Sequence, residues 1–305
     1  SGTDVVVRVP YAFVSGTAST ASKPDIFVFD VSNPALPSLV KSLDIGAAGI
    51  NSLYINGNYL YAASPNDSKE LIIFDITTPA NLSEVGSYNL TGSSDGLSVI
   101  VFGSTAAIGR ADSAVKEIAF LNVSSPAAPT VIREDSSNNG DVNDFAAIAD
   151  RLFVISEESD EDIFIYDITN TANPVYVGFY DIAGTTEDLS VYIHVKAGAN
   201  NLLVGNGGDE FMEIGATTTS QMYVRSRIGL GGDVNDIVCV TGDLAFLATG
   251  NSNKEFIVVN VANPDAIVEY AFINFPQNGT GIDFANNMAF LSVKSNDSLR
   301  VITSQ

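Results

Sequence analysis

The stretch "LIIFDITTP", residues 71–79, decides the fold. Four apolar residues end on Asp75, and Thr77 and Pro79 follow at once. A run this short, bounded by turn formers, reads as a buried strand that closes in a turn. The carboxylate or hydroxyl bonds nearby amides, and proline fixes φ where no ladder donor is needed. The phrase returns as "IFVFDVSNP" from Ile26, "IAFLNVSSP" from Ile118, "IFIYDITNTANP" from Ile163, "FMEIGATTT" from Phe211, "FIVVNVANP" from Phe256 and "LRVITSQ" from Leu299. The residue after each tetrad falls at 30, 75, 122, 167, 215, 260 and 303, so seven copies run in phase along the chain.

A period of about 45 residues filled with short β-branched and aromatic runs is the signature of propeller blades. The second copy shows the unit: "INSLYI", a turn at Asn56-Gly57-Asn58, "YLYAAS", a loop, "LIIFD", the turn "ITTPAN", then "LSEVGSYNL". Four strands of about five residues fill the period. The expected fold is all-β: one seven-bladed propeller of four-stranded antiparallel blades. No composition break divides the chain, so residues 1–305 read as a single domain, with repeats near 1–46, 47–92, 93–139, 140–184, 185–231, 232–277 and 278–305. The last repeat ends after its third strand. Three sources could complete that blade: Ser1-Gly2-Thr3 pairing there, residues beyond the chain, or a strand from a neighbouring subunit.

"ELIIFDITTPANLSEVGSY" and "DIFVFDVSNPALPSLVKSLDI" resemble LVIVD repeats, a β-propeller family distantly similar to WD-type and YVTN-type propellers. The fifth copy, "FMEIGATTTSQ", departs from the pattern by lacking both the Asp and the Pro. The resemblance implies a propeller, often found in secreted or surface-attached prokaryotic proteins. It implies no particular chemistry, because propellers serve many roles.

The charge is strongly acidic. Against 36 Asp and Glu stand 14 Lys and Arg, a net of −22, which excludes nucleic acid and anionic membrane surfaces as expected partners. Apolar runs are too short to span a bilayer, so no direct membrane insertion is expected. The opening Ser1-Gly2 without Met, with no signal peptide, implies a processed mature form or a trimmed piece. One cysteine, Cys239, precludes an intrachain disulfide and reads as a structural thiol in an apolar strand. His194 stands alone, which makes neither a histidine metal cluster nor a triad. Candidate glycosylation sequons begin at Asn66, Asn81, Asn89, Asn122, Asn278 and Asn296, and with the low lysine content they point outside the cell.

Two acidic series emerge when the copies are aligned. The first opens the first strand of each blade: Asp4, Ser52, Ser98, Asp144, Ser190, Asp236 and Asp283. It includes the second aspartates of the two "DVND" tetrads, Asp144 and Asp236. Oxygen-only ligands suit Ca²⁺ or Mg²⁺, so Asp236, Asp283, Asp4 and Asp144 are the candidate metal ligands, with a solvated channel mouth as the plainer reading. The second series opens the third strand: Asp25, Glu70, Glu117, Asp162, Glu210 and Glu255, a candidate acidic face for binding. The run "SEESDEDIF" from Ser156 lacks the glycine turn of an EF-hand and reads as a solvated loop. No phosphate-binding glycine loop or nucleophile elbow is present, and no catalytic residue is assigned.

The expected function is therefore a non-catalytic, secreted or cell-surface interaction and adhesion module. Its acidic face would engage a protein, glycan or cation, and it could serve as a subunit of a larger extracellular assembly. Two alternatives remain: a divalent-cation-dependent propeller hydrolase acting on a small substrate at the channel mouth, and a structural filament subunit joined by strand donation to the incomplete seventh blade.

Overall fold

The computed structural model describes the chain except residues 18–22, 47–48, 113–115, 139, 158–160, 184–188, 197–198, 209, 217–221, 241, 296–297 and 304–305, and side chains are described outside 192–200 as well. Among the described residues the strands form seven antiparallel sheets in chain order, six of four strands and the last of three. The protein is an all-β seven-bladed propeller, and the last blade has three strands.

Blade 1 holds β1 (Gly2–Arg8), β2 (Tyr11–Gly16), β3 (Ile26–Asp30) and β4 (Ser38–Leu43). Blade 2 holds β5 (Ser52–Asn56), β6 (Tyr59–Ala63), β7 (Leu71–Asp75) and β8 (Ser83–Tyr88). Blade 3 holds β9 (Gly96–Phe102), β10 (Thr105–Arg110), β11 (Ile118–Asn122) and β12 (Thr130–Asp135). Blade 4 holds β13 (Val142–Ile148), β14 (Arg151–Ser156), β15 (Ile163–Asp167) and β16 (Val175–Tyr180). Blade 5 holds β17 (Ser190–Lys196), β18 (Ala199–Gly205), β19 (Glu210–Gly215) and β20 (Tyr223–Gly229). Blade 6 holds β21 (Val234–Val240), β22 (Leu244–Thr249), β23 (Phe256–Asn260) and β24 (Val268–Ile273). Blade 7 holds β25 (Gly279–Ala285), β26 (Met288–Val293) and β27 (Leu299–Thr303).

The chain divides into two compact units, Ser1–Val142 with Asp283–Gln305, and Asn143–Ile282. In the first unit β1 lies beside β26, so tightly that a Cβ on Gly2 would stand 3.0 Å from the Val293 carbonyl oxygen. The opening residues pair inside their own blade: Gly2 faces Gly16, and Thr17 N–H donates to Ser1 O at 3.2 Å. Ser1-Gly2-Thr3 therefore does not complete blade 7, which removes the first of the three sources.

Second and third strands are buried on both faces, which explains their unbroken apolar runs. Leu71, Ile72, Ile73 and Phe74 have no exposed surface, and each contributes about 1.5–3 kcal/mol of burial. Fourth strands are half-buried to exposed and share one irregularity. The register shifts between Val28 and Phe29, Ile73 and Phe74, Phe120 and Leu121, Ile165 and Tyr166, Glu213 and Ile214, and Val258 and Val259. One extra residue in each fourth strand makes a bulge that bends the blade's outer edge away from continuous pairing.

The turns after the third strands are built as their sequence requires. Asp30, Asp75, Asn122, Asp167 and Asn260 each accept, through Oδ1, the N–H two residues on. Side-chain hydrogen bonds from Ser32, Thr77 and the Thr169 amide hold the Asp30, Asp75 and Asp167 carboxyls below their usual range. The fifth blade's turn falls largely within residues 217–221, outside the described residues.

In blades 2, 3 and 6 the loop that follows the turn leans on the preceding blade. Residues of the 3₁₀ turn Pro79–Asn81 pack on β4. A Cβ on Gly86 in β8 would run into Pro126 O, so only glycine fits there. In the second unit Ser226 Oγ donates to Pro264 O at 2.7 Å, and Arg225 pairs with Asp265 at 2.8 Å.

Candidate functional site

The four aspartates of the first series use both carboxylate oxygens on backbone amides. Asp4 Oδ1 accepts from Val5 N–H at 2.6 Å, and its Oδ2 from Leu53 N–H in the next blade at 2.7 Å. Asp144 accepts from Phe145 at 2.7 Å and Val191 at 2.8 Å. Asp236 accepts from Ile237 at 2.7 Å and Ile282 at 2.6 Å. Asp283 accepts from Phe284 at 2.7 Å and Val7 at 2.6 Å. One oxygen fixes the residue's own strand and the other takes hold of the first strand of the following blade.

Serines in the same series make the same link with opposite polarity. Ser98 Oγ donates to Val142 O at 2.8 Å, and Ser190 Oγ donates to Val234 O at 3.0 Å. A Cβ on Gly109 would collide with both Ser98 Oγ and Val142 O, so glycine makes room for that link. The bonds also revise one place in the alignment. Asp4 and Asp144 reach the residues just after Ser52 and Ser190, whereas Asp236 reaches Ile282, which precedes Asp283. Asp283 in turn reaches Val7, three beyond Asp4. Both offsets become regular when the seventh place is Gly281, and Asp283 stands two residues further along its strand.

Burial raises two of these carboxyls. Protein atoms surround Asp144 and push its pKa up to about 7, with the Val191 and Phe145 amides pulling the other way. The same balance sets Asp283 at about 6. Among the described residues no three of His, Cys, Asp and Glu gather into a group that could hold a metal ion. The candidate ligands Asp4, Asp144, Asp236 and Asp283 are thus placed as laces between strands.

The second series is equally occupied with the backbone. Asp25 Oδ2 accepts from Ile45 N–H at 3.0 Å, Glu70 Oε2 from Leu90 at 2.8 Å and Glu117 Oε2 from Ser137 at 2.9 Å. Asp162 Oδ2 accepts from Ile182 at 2.5 Å and Glu255 Oε2 from Phe275 at 2.8 Å. Every one of these bonds reaches 20 residues ahead, to the segment just after the fourth strand of the same blade. All five side chains are buried, at 2% exposure or less. Glu210 differs: it is half-buried and pairs with Arg227 at 3.1 Å. The second oxygens of Asp25, Glu70 and Glu117 are buried without a hydrogen-bond partner. Desolvation correspondingly raises the Asp25 and Glu70 carboxyls above their usual range.

Of the sequons, Asn81, Asn89 and Asn122 are exposed, Asn66 and Asn278 are half-buried, and Asn296 lies outside the described residues. In the acidic run after Ser156, Glu157 accepts from Asn143 Nδ2, and residues 158–160 lie outside the described residues. Cys239 is half-buried at the edge of the blade 5–6 core.

The LVIVD repeat family matches residues 2–45 and 49–90, which are blades 1 and 2. Blades 1 and 2 match the LVIVD repeat. No curated protein matches it in sequence. Among solved structures, a protein from Lactobacillus plantarum superposes with a TM-score of 0.80 at 11% identity, over 96% of this chain and 92% of the other. A periplasmic gluconolactonase of Pseudomonas aeruginosa gives 0.73 at 11% identity, over 99% and 88%. A putative 6-phosphogluconolactonase of Bacteroides fragilis gives 0.74 at 9% identity, over 96% and 90%. At these identities the likeness extends to the fold alone.

In blades 1, 2, 3, 4 and 6 the acid before the third strand is thus a clamp on the segment after the fourth. Sequence inspection found the acids but not their partners, since each partner is a backbone amide that any residue supplies. The immediate contact of each acid with a fully apolar strand was the available signal of burial. Replacing Glu70 with Ala should lower stability by about 1–3 kcal/mol in urea unfolding, because the buried Leu90 amide loses its acceptor. Glu70→Gln keeps an acceptor oxygen and should lose less than Ala. Equal losses would mean that the clamp bond carries no stability.

Proposed function

We propose that the protein is a non-catalytic interaction module of the cell exterior, carrying an acidic surface that engages a basic or glycan partner. One observation carries this reading: the carboxylates best placed for chemistry, Asp4, Asp144, Asp236 and Asp283, have both oxygens occupied by backbone amides. Each oxygen already accepts one amide hydrogen bond and is held against the backbone, which supports a scaffold role for these carboxylates. The surplus of 36 acidic over 14 basic side chains gives the surface a sign that favours cationic partners. Exposed Asn81, Asn89 and Asn122 suit an address where glycans are attached.

The test sets binding against turnover. Immobilised protein should retain basic polypeptides, and raised salt should release them, as screened charge attraction requires. Millimolar Ca²⁺ or a chelator should leave the melting temperature unchanged. Hydrolysis of a lactone or ester panel that depends on a divalent cation and disappears in Asp236→Asn would replace this reading with the hydrolase.

A further inference from the structure

We propose that the carboxylates of Asp67, Asp95, Asp112 and Asp141, on the loops around blades 2 and 3, anchor the guanidinium of an arginine presented by a basic partner polypeptide. This rests on the interaction-module reading and names where, and by which group, the partner is held.

The backbone brings the four acids together. Gly96 N–H donates to Ser64 O at 3.0 Å, which seats the loop before β9 on the end of β6. Ala111 N–H donates to Asp95 O at 2.9 Å, and Asp112 N–H donates to Asp141 Oδ1 at 2.5 Å. Asp67, Asp95 and Asp112 are exposed, and Asp141 is half-buried. Burial, and then the charges of Asp67 and Asp141, raise the Asp95 carboxyl above its usual range, as carboxylates crowded together require.

The chain's own cations are engaged elsewhere. Among the described residues none of the four acids pairs with Lys or Arg. Lys69 is committed to Glu84 at 2.7 Å, and the exposed Lys116 pairs with none of them. Arg110 is fully buried, donates to Lys116 O at 3.0 Å and Thr91 O at 2.8 Å, and lies 3.9 Å from Glu134.

The scaffold does not require this charge. Blade 6 builds the same corner: Gly250 N–H donates to Asp233 O at 2.8 Å, so Asp233 and Asn251 stand where Asp95 and Asp112 do. A Cβ on Gly250 would lie 3.5 Å from Asp233 Oδ2 and 3.8 Å from Asn278 Nδ2, so the neighbour contributed there by the next loop is an amide too. Asparagine therefore serves the backbone at these places, and the aspartates of blades 2 and 3 add only charge.

Two buried polar side chains point to a ligand that brings donors. Ser94 is 8% exposed, and its hydroxyl makes no hydrogen bond among the described residues. It takes the place of Gly232, whose Cβ would stand 2.6 Å from Asn251 Cα, so its side chain is directed at Asp112. Glu70 is fully buried with Oε1 lacking a hydrogen-bond partner; burial first, and the nearby Asp67 charge with it, raise its carboxyl. A bare metal ion does not fit, since among the described residues no three acids close on one point. A guanidinium does fit, because it spreads its N–H donors across a plane and bridges separate carboxylates, whereas an ammonium is a point charge.

A fluorescein-labelled peptide of alternating glycine and arginine tests this on the intact 1–305 protein, by anisotropy at low salt and by hydrogen exchange. Saturable binding is expected, tighter than for the lysine counterpart, with slowed exchange at residues 64–70, 94–96 and 111–112. Asp95→Asn with Asp112→Asn should weaken binding about tenfold at an unchanged melting temperature. Asp181→Asn with Asp243→Asn removes the same charge from other exposed positions and should cost about twofold at most. Asp67→Asn, a single exposed change, should weaken binding about threefold and serves if the pair disturbs folding. Equal weakening by the control pair, equal affinity for the lysine peptide, protection elsewhere, or no saturation at millimolar peptide overturns the proposal. If it fails while salt-sensitive retention of basic polypeptides persists, the site falls and the module reading stands. If no basic polypeptide is retained at all, both fall.

Discussion

Lowering the pH from 8 to 5 is expected to stabilise this protein by about 2–4 kcal/mol, read as a higher urea midpoint at unchanged slope. Asp144 has a folded pKa of about 7 and Asp283 of about 6, against an ordinary 3.8 in the unfolded chain. The folded state therefore holds protons that the unfolded state has released. The contribution is complete below about pH 4 and disappears as the pH rises through 6 and then 7. Raised carboxyls at Asp25 and Glu70 act in the same sense, and so does the relief of mutual repulsion at a net charge of −22. The range given is smaller than the two shifts would supply in full, because both groups keep some accessible surface. A midpoint that stays flat or falls on acidification would show that the amide bonds, rather than burial, govern these carboxyls.

The second large effect is expected for Asp144→Ala, a loss of about 2–5 kcal/mol. Two amides, Phe145 and Val191, lose their acceptor at once, and β13 is no longer tied to β17. The double loss is why this should exceed Glu70→Ala, which orphans one amide. Asp144→Asn separates bonding from titration: it keeps one acceptor oxygen, should lose less than Ala, and should flatten the pH dependence near neutrality. An Asn variant with the full pH slope would move the titration to another group.

The fold was legible because the repeat is written in short-range chemistry. Asp75, Thr77 and Pro79 encode a turn within five residues, and Leu71 to Phe74 encode a strand buried on both faces. The missing strand could likewise be read from the end of the seventh copy. What the carboxylates do was not legible. Asp4 and Glu70 look alike in sequence, yet one ties two blades and the other closes its own. Both partners are main-chain amides, which leave no trace in residue identity. The displacement of Asp283 from the seventh place has the same origin, since sequence spacing alone cannot tell a position from one two residues further on the same strand face.

The two kinds of carboxylate bond also differ in the length of chain they close. The clamps each span 20 residues, while Asp4 reaches 49 residues to Leu53 and Asp283 reaches 276 to Val7. Loop-closure entropy grows with span, so the clamps are affordable within a single blade as it forms, whereas the Val7–Asp283 bond can form only after blades 1 and 7 are both made. Among the described residues, that seam closes the longest stretch of chain of any carboxylate bond.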